Sequence, residues 1–264
     1  MENRYSVSVI LPVYNTASTL YDCLKSINDQ KLKLELIFVN DGSTDGSLKV
    51  FKDFNFSDTI SIKIINRGNK GFLTSLNEAL ELSSGKYIAR IDGDDIWANN
   101  HLKNIITEFK KNHDYVLIGS QCFFINNFKK IIGHSKLPMN HKNIIKYFHK
   151  DNPFIHSSVV FSREAYFKTG GYYKGNDPFY AHIADFNLWF ELSKHGLCKN
   201  MKQKSVYYRV SEKSMSRTMD KIINLKSRLF VMSNVNNYYK SYIYYYMLQK
   251  FKIIMQIIFN KLIK

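Results

Sequence analysis

The chain is poor in cysteine: Cys23, Cys122 and Cys198 are the only three in 264 residues. They are odd in number, far apart and without metal-ligand spacing, which excludes a disulfide framework or zinc knuckle and fits a reducing compartment. No apolar run approaches the ~18 residues that read as a membrane span. Met1 to Tyr5 lead straight into a strand-like segment without the apolar stretch of a secretion signal. There is no Gly-x-Gly-x-x-Gly after a strand and no Gly-x-x-x-x-Gly-Lys-Ser/Thr, so neither a dinucleotide fold nor a P-loop is supported. Acidic residues are missing from the end of the chain: residues 221–264 contain eight Lys or Arg and no Asp or Glu.

What is present is a chain with 45% hydrophobic residues and a net charge of +16. The first supports a real core in one large α/β domain, with or without an appendage. The second suggests a polyanionic neighbour: nucleic acid, an acidic membrane surface or a diphosphate-bearing substrate. Half of the excess charge sits in the tail, interleaved with Tyr238, Tyr239, Tyr242, Tyr244, Tyr245 and Tyr246. From 243 to 264 the polar residues Gln249, Lys252, Gln256, Asn260 and Lys264 recur every three or four positions. Met247, Phe251, Ile254, Met255, Ile258 and Leu262 take the other side, and Ile253, Ile257 and Ile263 blur the boundary. The pattern predicts an amphipathic helix lying on a membrane surface, the alternative being a helix docked on the domain. Interleaved tyrosines also suit single-stranded nucleic acid, but the Ile, Met and Leu stripe favours lipid.

Along the first part of the chain, apolar runs at Val7 to Val13, Leu34 to Val39, Ile60 to Ile65 and Lys86 to Ile91 alternate with segments of helical spacing. Ser18 or Thr19 is available to cap the first helix. The alternation predicts a mostly parallel sheet covered by helices over the first ~120 residues, with the ligand crevice at the carboxyl ends of the strands. The polar groups fall there: Tyr14 and Asn15 after the first strand, Asp41 and Ser43 after the second, Asn66 after the third, Asp92 and Asp94 after the fourth. Asp92, Asp94 and Asp95 would repel one another in a dry core, and clustered oxygen ligands suit a hard cation such as Mn2+ or Mg2+. The bland alternative is a solvated acidic turn that caps a helix beginning near Asn99.

Four segments, Val7 to Asn15, Phe38 to Asp45, Gly71 to Asn77 and Gly85 to Asp95, closely resemble the glycosyltransferase family 2 pattern in order and spacing. Weaker likenesses follow at Asn152 to Val159, Gly170-Gly171-Tyr172, Ala184 to Trp189 and Tyr207 to Ser216. The resemblance implies a GT-A fold, Rossmann-like, with 1–120 as the nucleotide-sugar-binding half, 121–220 as the acceptor-binding half of the same domain, and 221–264 as a basic helical tail. It implies an inverting transfer of a hexose from a UDP-sugar, with UDP-glucose or UDP-galactose the first guess. The acceptor would be a sugar on an undecaprenyl-diphosphate carrier in surface-polysaccharide (O-antigen or capsule) assembly, on the cytoplasmic face of a bacterial inner membrane.

By the same resemblance, Pro12, Tyr14 and Asp41 hold the uridine, Asn66 and Asn77 lie on the nucleotide-sugar side, and Asp92 touches the ribose and metal shell. Asp94 binds the Mn2+ or Mg2+ that bridges the donor phosphates, Arg209 lies on the nucleotide-sugar side, with His156, Arg209 or Arg217 as alternatives for a contact to the diphosphate, and Asp185 is the general base. Trp97 and His156 are acceptor-side candidates, with core packing as the alternative for both; for Asp185 the alternative is a helix N-cap. Three departures stand out: Ala184 replaces the Glu of a Glu-Asp pair, Leu76 stands where many relatives have Arg, and no His follows Tyr208-Arg209. A nucleotidyltransferase would also place carboxylates at strand ends, but the Gly-rich basic loop for a triphosphate is missing. A non-catalytic membrane-binding or nucleic-acid-binding module would show no metal-dependent turnover.

Overall fold

The computed structural model describes residues 6–173, 178–181, 183–210, 221–240 and 243–262. Arg217 and positions 211–216 lie outside them, as do Tyr242, Ile263 and Lys264. Strands β1 (Val7–Val13), β2 (Leu34–Asp41), β3 (Ile60–Arg67) and β4 (Tyr87–Arg90) pair in parallel in the order β3-β2-β1-β4. Beyond β4 the sheet becomes mixed. β8 (Val160–Ser162) runs antiparallel to β4 and to β6 (Tyr115–Ile125), β9 (Leu197–Arg209) lies parallel to β6, and β5 (Ile96–Trp97) closes the edge; β7 (Ile131–His134) adds to β6.

The period of two along each strand splits the core into two layers. Val7, Val9, Leu11 and Val13 of β1 with Leu36 and Phe38 of β2 face helices α1 (Ala17–Asn28) and α4 (His101–Lys111). Ile10, Ile37, Val39 and Ile88 face α3 (Phe72–Leu82) and the aromatic cluster around Trp189. Residues buried on both faces explain the near-continuous apolar runs of β1 and β2. β3, at the edge, alternates exposed and half-buried positions instead. Pro12 is tolerated in a central strand because the carbonyl of Ile10 takes the Ile91 amide on the β4 side. Pro12, two residues on, faces the same way beyond the last β1–β4 rung, where no donor is needed.

The loops after β1 and β2 are laced together. Asp45 Oδ2 accepts from the Ala17 amide at 2.9 Å and Ser47 Oγ accepts from the Thr16 amide at 2.9 Å. The free amides at the start of α1 are thus satisfied from the neighbouring loop rather than by Ser18 or Thr19.

The tail is built into the domain. Val231, Met232 and Val235 of the helix Lys221–Tyr238 are fully buried in the same cluster as Trp189 and Phe190. Each such side chain contributes roughly 1.5–3 kcal/mol. The terminal helix Ile243–Leu262 docks through Tyr246, Ile253 and, partly, Ile257. These three are seven and four residues apart and so share one stripe. Met247, Phe251, Ile254, Met255 and Ile258, the apolar side read from the sequence, remain exposed, Phe251 by 63%. The helix therefore carries two apolar stripes, one docked and one bare.

Candidate active site

The register aligns the carboxyl ends of the parallel strands, pairing Val13 with Asn40, Asn40 with Asn66 and Asp41 with Arg67. A cleft of about 370 Å³ opens there, lined among others by Pro12, Tyr14, Asp41, Phe72, Asp92 and Asp94. Five of the residues expected on the donor side meet in it. Asp41 is nearly buried at the end of β2. Its Oδ1 takes Arg67 Nη1 and the Lys70 amide, and its Oδ2 takes the Gly71 amide at 3.0 Å. A carboxylate offers about four acceptor sites, so one place on Oδ2 stays open to a donor from the cleft. Gly42 makes this closure possible: with φ at +76°, a Cβ there would come within 2.5 Å of the Asn69 amide nitrogen.

Asp92 is gripped by Arg90, whose guanidinium bonds both carboxylate oxygens and lies over the Phe72 ring at 5.1 Å. Ser157 Oγ accepts from the Asp92 amide at 3.1 Å and donates to Asp92 Oδ2 at 3.3 Å. Arg90 is 2% exposed, so Asp92 also neutralises a cation the core could not hold alone. Burial, followed by the neighbouring Asp92 charge, pushes the Asp94 carboxyl up to about 6. Burial, then Asp94 and Asp92, raise Asp95 well above the usual carboxylate range. One oxygen of each of the three lies within 4.8 Å of the others. Asp95 accepts the Arg209 amide on Oδ1 at 2.8 Å and has the Ser157 side chain beside it, while its buried Oδ2 has no hydrogen-bond partner within 3.5 Å among the described residues. Close hard oxygens, one of them buried and unsatisfied, are a donor set that a Mn2+ or Mg2+ ion fits. None of the three caps α4, which begins at His101 after Asn100.

Asp185 lies in the first turn of the helix Ala184–Ser193, one residue inside it rather than at its cap. It lines a second cavity, of about 250 Å³, with Asp151, Asn152, Asn224, Ser227 and Arg228. Its Oδ1 accepts the Phe186 amide at 2.7 Å and its Oδ2 accepts Asn152 Nδ2 at 2.9 Å. Burial outweighs these bonds and the pull of Arg90, bringing the carboxyl to about 6. A carboxylate that is largely ionised at neutral pH yet retains appreciable basicity suits proton abstraction from a hydroxyl.

Other expected residues are placed differently. Trp97 is core: it is 2% exposed, its Nε1 donates to the Ser157 carbonyl at 2.7 Å and its ring stacks on His101, so it presents no face to an acceptor sugar. Arg209 does not line the donor cleft. Its Nε donates to the Asp94 carbonyl and its Nη1 to the carbonyls of Asn126 and Asn127, which commits that edge of the fork to backbone and fixes the Asp94-Asp95 turn from behind. Asn66 pairs with Asn40, and Asn77 donates to the Tyr173 carbonyl; neither lines the cleft. His156 is half-buried against Tyr172, Nε2 to hydroxyl 2.6 Å, and burial, then Arg90, hold its imidazole neutral. Arg67 and Arg90 were not expected at the site, and Asn152 and Ser157 were only members of the segment Asn152 to Val159, with no role of their own. For Arg90 a signal existed: it is a cation at the last position of an apolar strand, two residues before Asp92, where a buried charge needs a nearby carboxylate.

The family model for glycosyl transferase family 2 matches residues 8–171. An uncharacterized glycosyltransferase of Haemophilus influenzae is 32% identical over 248 residues, which are 90% of this chain and 76% of that protein. The UDP-Glc:alpha-D-GlcNAc-diphosphoundecaprenol beta-1,3-glucosyltransferase WfgD of Escherichia coli is 34% identical over 135 residues, 51% of this chain and 52% of WfgD. The structure of S. aureus TarS 1–349 in complex with UDP-GlcNAc superposes with a TM-score of 0.67 at 16% identity, over 87% of this chain and 65% of that one. The mannosyltransferase PcManGT of Pyrobaculum calidifontis, solved with GDP-Man and Mn2+, gives 0.64 at 19% identity, over 89% of this chain and 65% of that one. The chain thus spans about two thirds of the length of these solved chains, and the likeness to them is one of fold: GT-A.

Proposed function

The chain belongs to glycosyl transferase family 2, and from that premise we propose that it transfers a hexose, with inversion, from a UDP-sugar to a sugar on an undecaprenyl-diphosphate carrier in surface-polysaccharide assembly. The carrying observation is the cleft that gathers Pro12, Tyr14 and Asp41 with Asp92 and Asp94 at the ends of parallel strands. UDP-sugar as donor is supported by the UDP-GlcNAc in the TarS complex, and a lipid-diphosphate acceptor by the name of WfgD. UDP-glucose or UDP-galactose remains the first guess for the donor.

In this reading the open site on Asp41 Oδ2 accepts the uracil imide, and Tyr14, 53% exposed at the mouth, flanks the base. Arg90 and Ser157 keep Asp92 turned to the ribose side. When bound, a Mn2+ or Mg2+ ion on Asp94 and Asp92 supplies charge neutralisation for the departing diphosphate. Asp185 removes the acceptor hydroxyl's proton as that oxygen bonds the anomeric carbon and the bond to the diphosphate breaks.

The bare stripe of the terminal helix lies on a membrane surface in the same reading. What supports this is the run of exposed apolar side chains from Met247 to Ile258, about three turns, on a tail that is cationic without an acid. Among the described residues no helix is long and apolar enough to cross a membrane. The protein then works peripherally, on the cytoplasmic face. A panel of nucleotide-sugars with Mn2+ and a short polyprenyl-diphosphate N-acetylglucosamine, read by mass spectrometry, should give a hexose-extended product from a UDP-sugar. Product from GDP-sugars alone, or none from any donor, would overturn the reading.

A further inference from the structure

The helix that carries Asp185 is tied to the C-terminal part of the chain directly at its far end and, through the turn at 150–152, at its near end. At the far end of Ala184–Ser193, the Tyr239 hydroxyl donates to the Ser193 carbonyl at 2.7 Å. At the near end, Arg228 Nη2 donates to the Lys150 carbonyl at 2.9 Å and lies 3.3 Å from the Asp151 carboxylate. The next residue, Asn152, accepts the Phe154 amide at 3.1 Å and donates to Asp185 at 2.9 Å. Arg228, the turn at 150–151, Asn152 and Asp185 therefore form one continuous set of contacts along the wall of the 250 Å³ cavity.

We propose that Arg228 is a positioning residue for the transfer: by fixing the 150–152 turn it holds the Asn152 amide against Asp185, so the helix Lys221–Tyr238 is a working part of the active site. The proposal rests on the reading of Asp185 as the base. A planar guanidinium can engage a carbonyl and a carboxylate at once, which an ammonium does less well. An amide that donates to a carboxylate favours its charged form, so a loosened Asn152 leaves Asp185 protonated to higher pH. The groups that bear on Asp185 are Asn152 and the Phe186 amide, the charges of Arg90 and Asp92 from the sheet, and the Tyr172 hydroxyl. Asp151 and Arg228 share its cavity. The contacts that link Arg228 to Asp185 run through the turn and Asn152.

The full chain carrying Arg228→Met, Arg228→Lys, Asn152→Ala or Arg228→Met with Asn152→Ala tests this in two ways. Carbon-13 NMR titration of Asp185 needs no substrate: Arg228→Met should raise its midpoint by about half a unit to one unit, roughly half of the ~1–2 units that complete loss of one hydrogen bond to a charged group would give. Arg228→Lys should restore part of the shift, and the double variant should titrate like Asn152→Ala. Turnover of UDP-glucose or UDP-galactose with the polyprenyl-diphosphate N-acetylglucosamine should fall about ten-fold in Arg228→Met, with its acidic limb displaced to match and the KM for donor unchanged. A wild-type midpoint and pH profile in Arg228→Met, or an effect additive with Asn152→Ala, would overturn the proposal. Full turnover in Asp185→Asn is the separate result that removes the base reading beneath it.

Discussion

Replacing Asp94 by Asn should stabilise the metal-free protein while it removes the cation site. Ligand oxygens of Asp92, Asp94 and Asp95 lie within 4.8 Å of one another. At that separation and an effective dielectric constant of about 20, two unit charges repel by about 3.5 kcal/mol. The total cost of the Asp94 charge is of that order too: burial first, and then the Asp92 charge, move its carboxyl from 3.8 to about 6, about two units or ~3 kcal/mol. Because the folded state raises this carboxyl, its charge costs nothing at pH values well below 3.8 and costs most above about 6. Arg90 already offsets part of the field, and the Asn amide must still be desolvated, so a net gain of about 1–2 kcal/mol is expected at pH 7.5. For a domain of this size that is roughly 2–8 °C in Tm. Thermal melts in EDTA should show Asp94→Asn above wild type at pH 7.5, with the gain shrinking toward pH 5, where Asp94 is mostly protonated. Mn2+ at 100 times its Kd should raise wild type by ~2.7 kcal/mol, and the variant far less. A variant that melts below wild type at pH 7.5, or a gain undiminished at pH 5, would refute the reasoning.

Asp185→Asn should lower turnover by about 10²–10⁴ while UDP binding, measured by calorimetry, stays within about two-fold. In wild type, turnover should fall as pH drops through about 6, where burial places the Asp185 titration. Trp97→Phe keeps most of the packing and loses the bond to the Ser157 carbonyl, so denaturant titration should show a cost of about 1 kcal/mol with the KM for acceptor unchanged. A large rise in that KM would return Trp97 to the sugar's wall. On the terminal helix, Ile253→Ala should cost about 2–4 kcal/mol. Met247, Phe251 and Ile258 changed together to Ser should shift Tm little but abolish sedimentation with anionic vesicles; unaltered sedimentation would remove the lipid reading.

Composition and strand-helix alternation were enough for the α/β class and the ligand edge, and the family resemblance added the grouping of Pro12, Tyr14, Asp41, Asp92 and Asp94 that the cleft brings together. Those features are local: a buried strand needs apolar residues, and in a parallel sheet its carboxyl end must open onto the crevice. Long-range contacts decided the rest. The chain carries no mark that Arg67, 26 residues on, would lock Asp41, or that Arg209 would spend its guanidinium on backbone carbonyls. Trp97 has the same composition whether it walls a sugar or fills a core, and only packing against Ser157 and His101 chose the core. Helical spacing showed the terminal helix to be apolar on one side, yet Ile253 and Ile257 proved to be the docked stripe because the domain's own surface, absent from the pattern, selected it. Sequence periodicity reports what a segment can bury; which partner it buries against is settled when distant segments compete for the same surface.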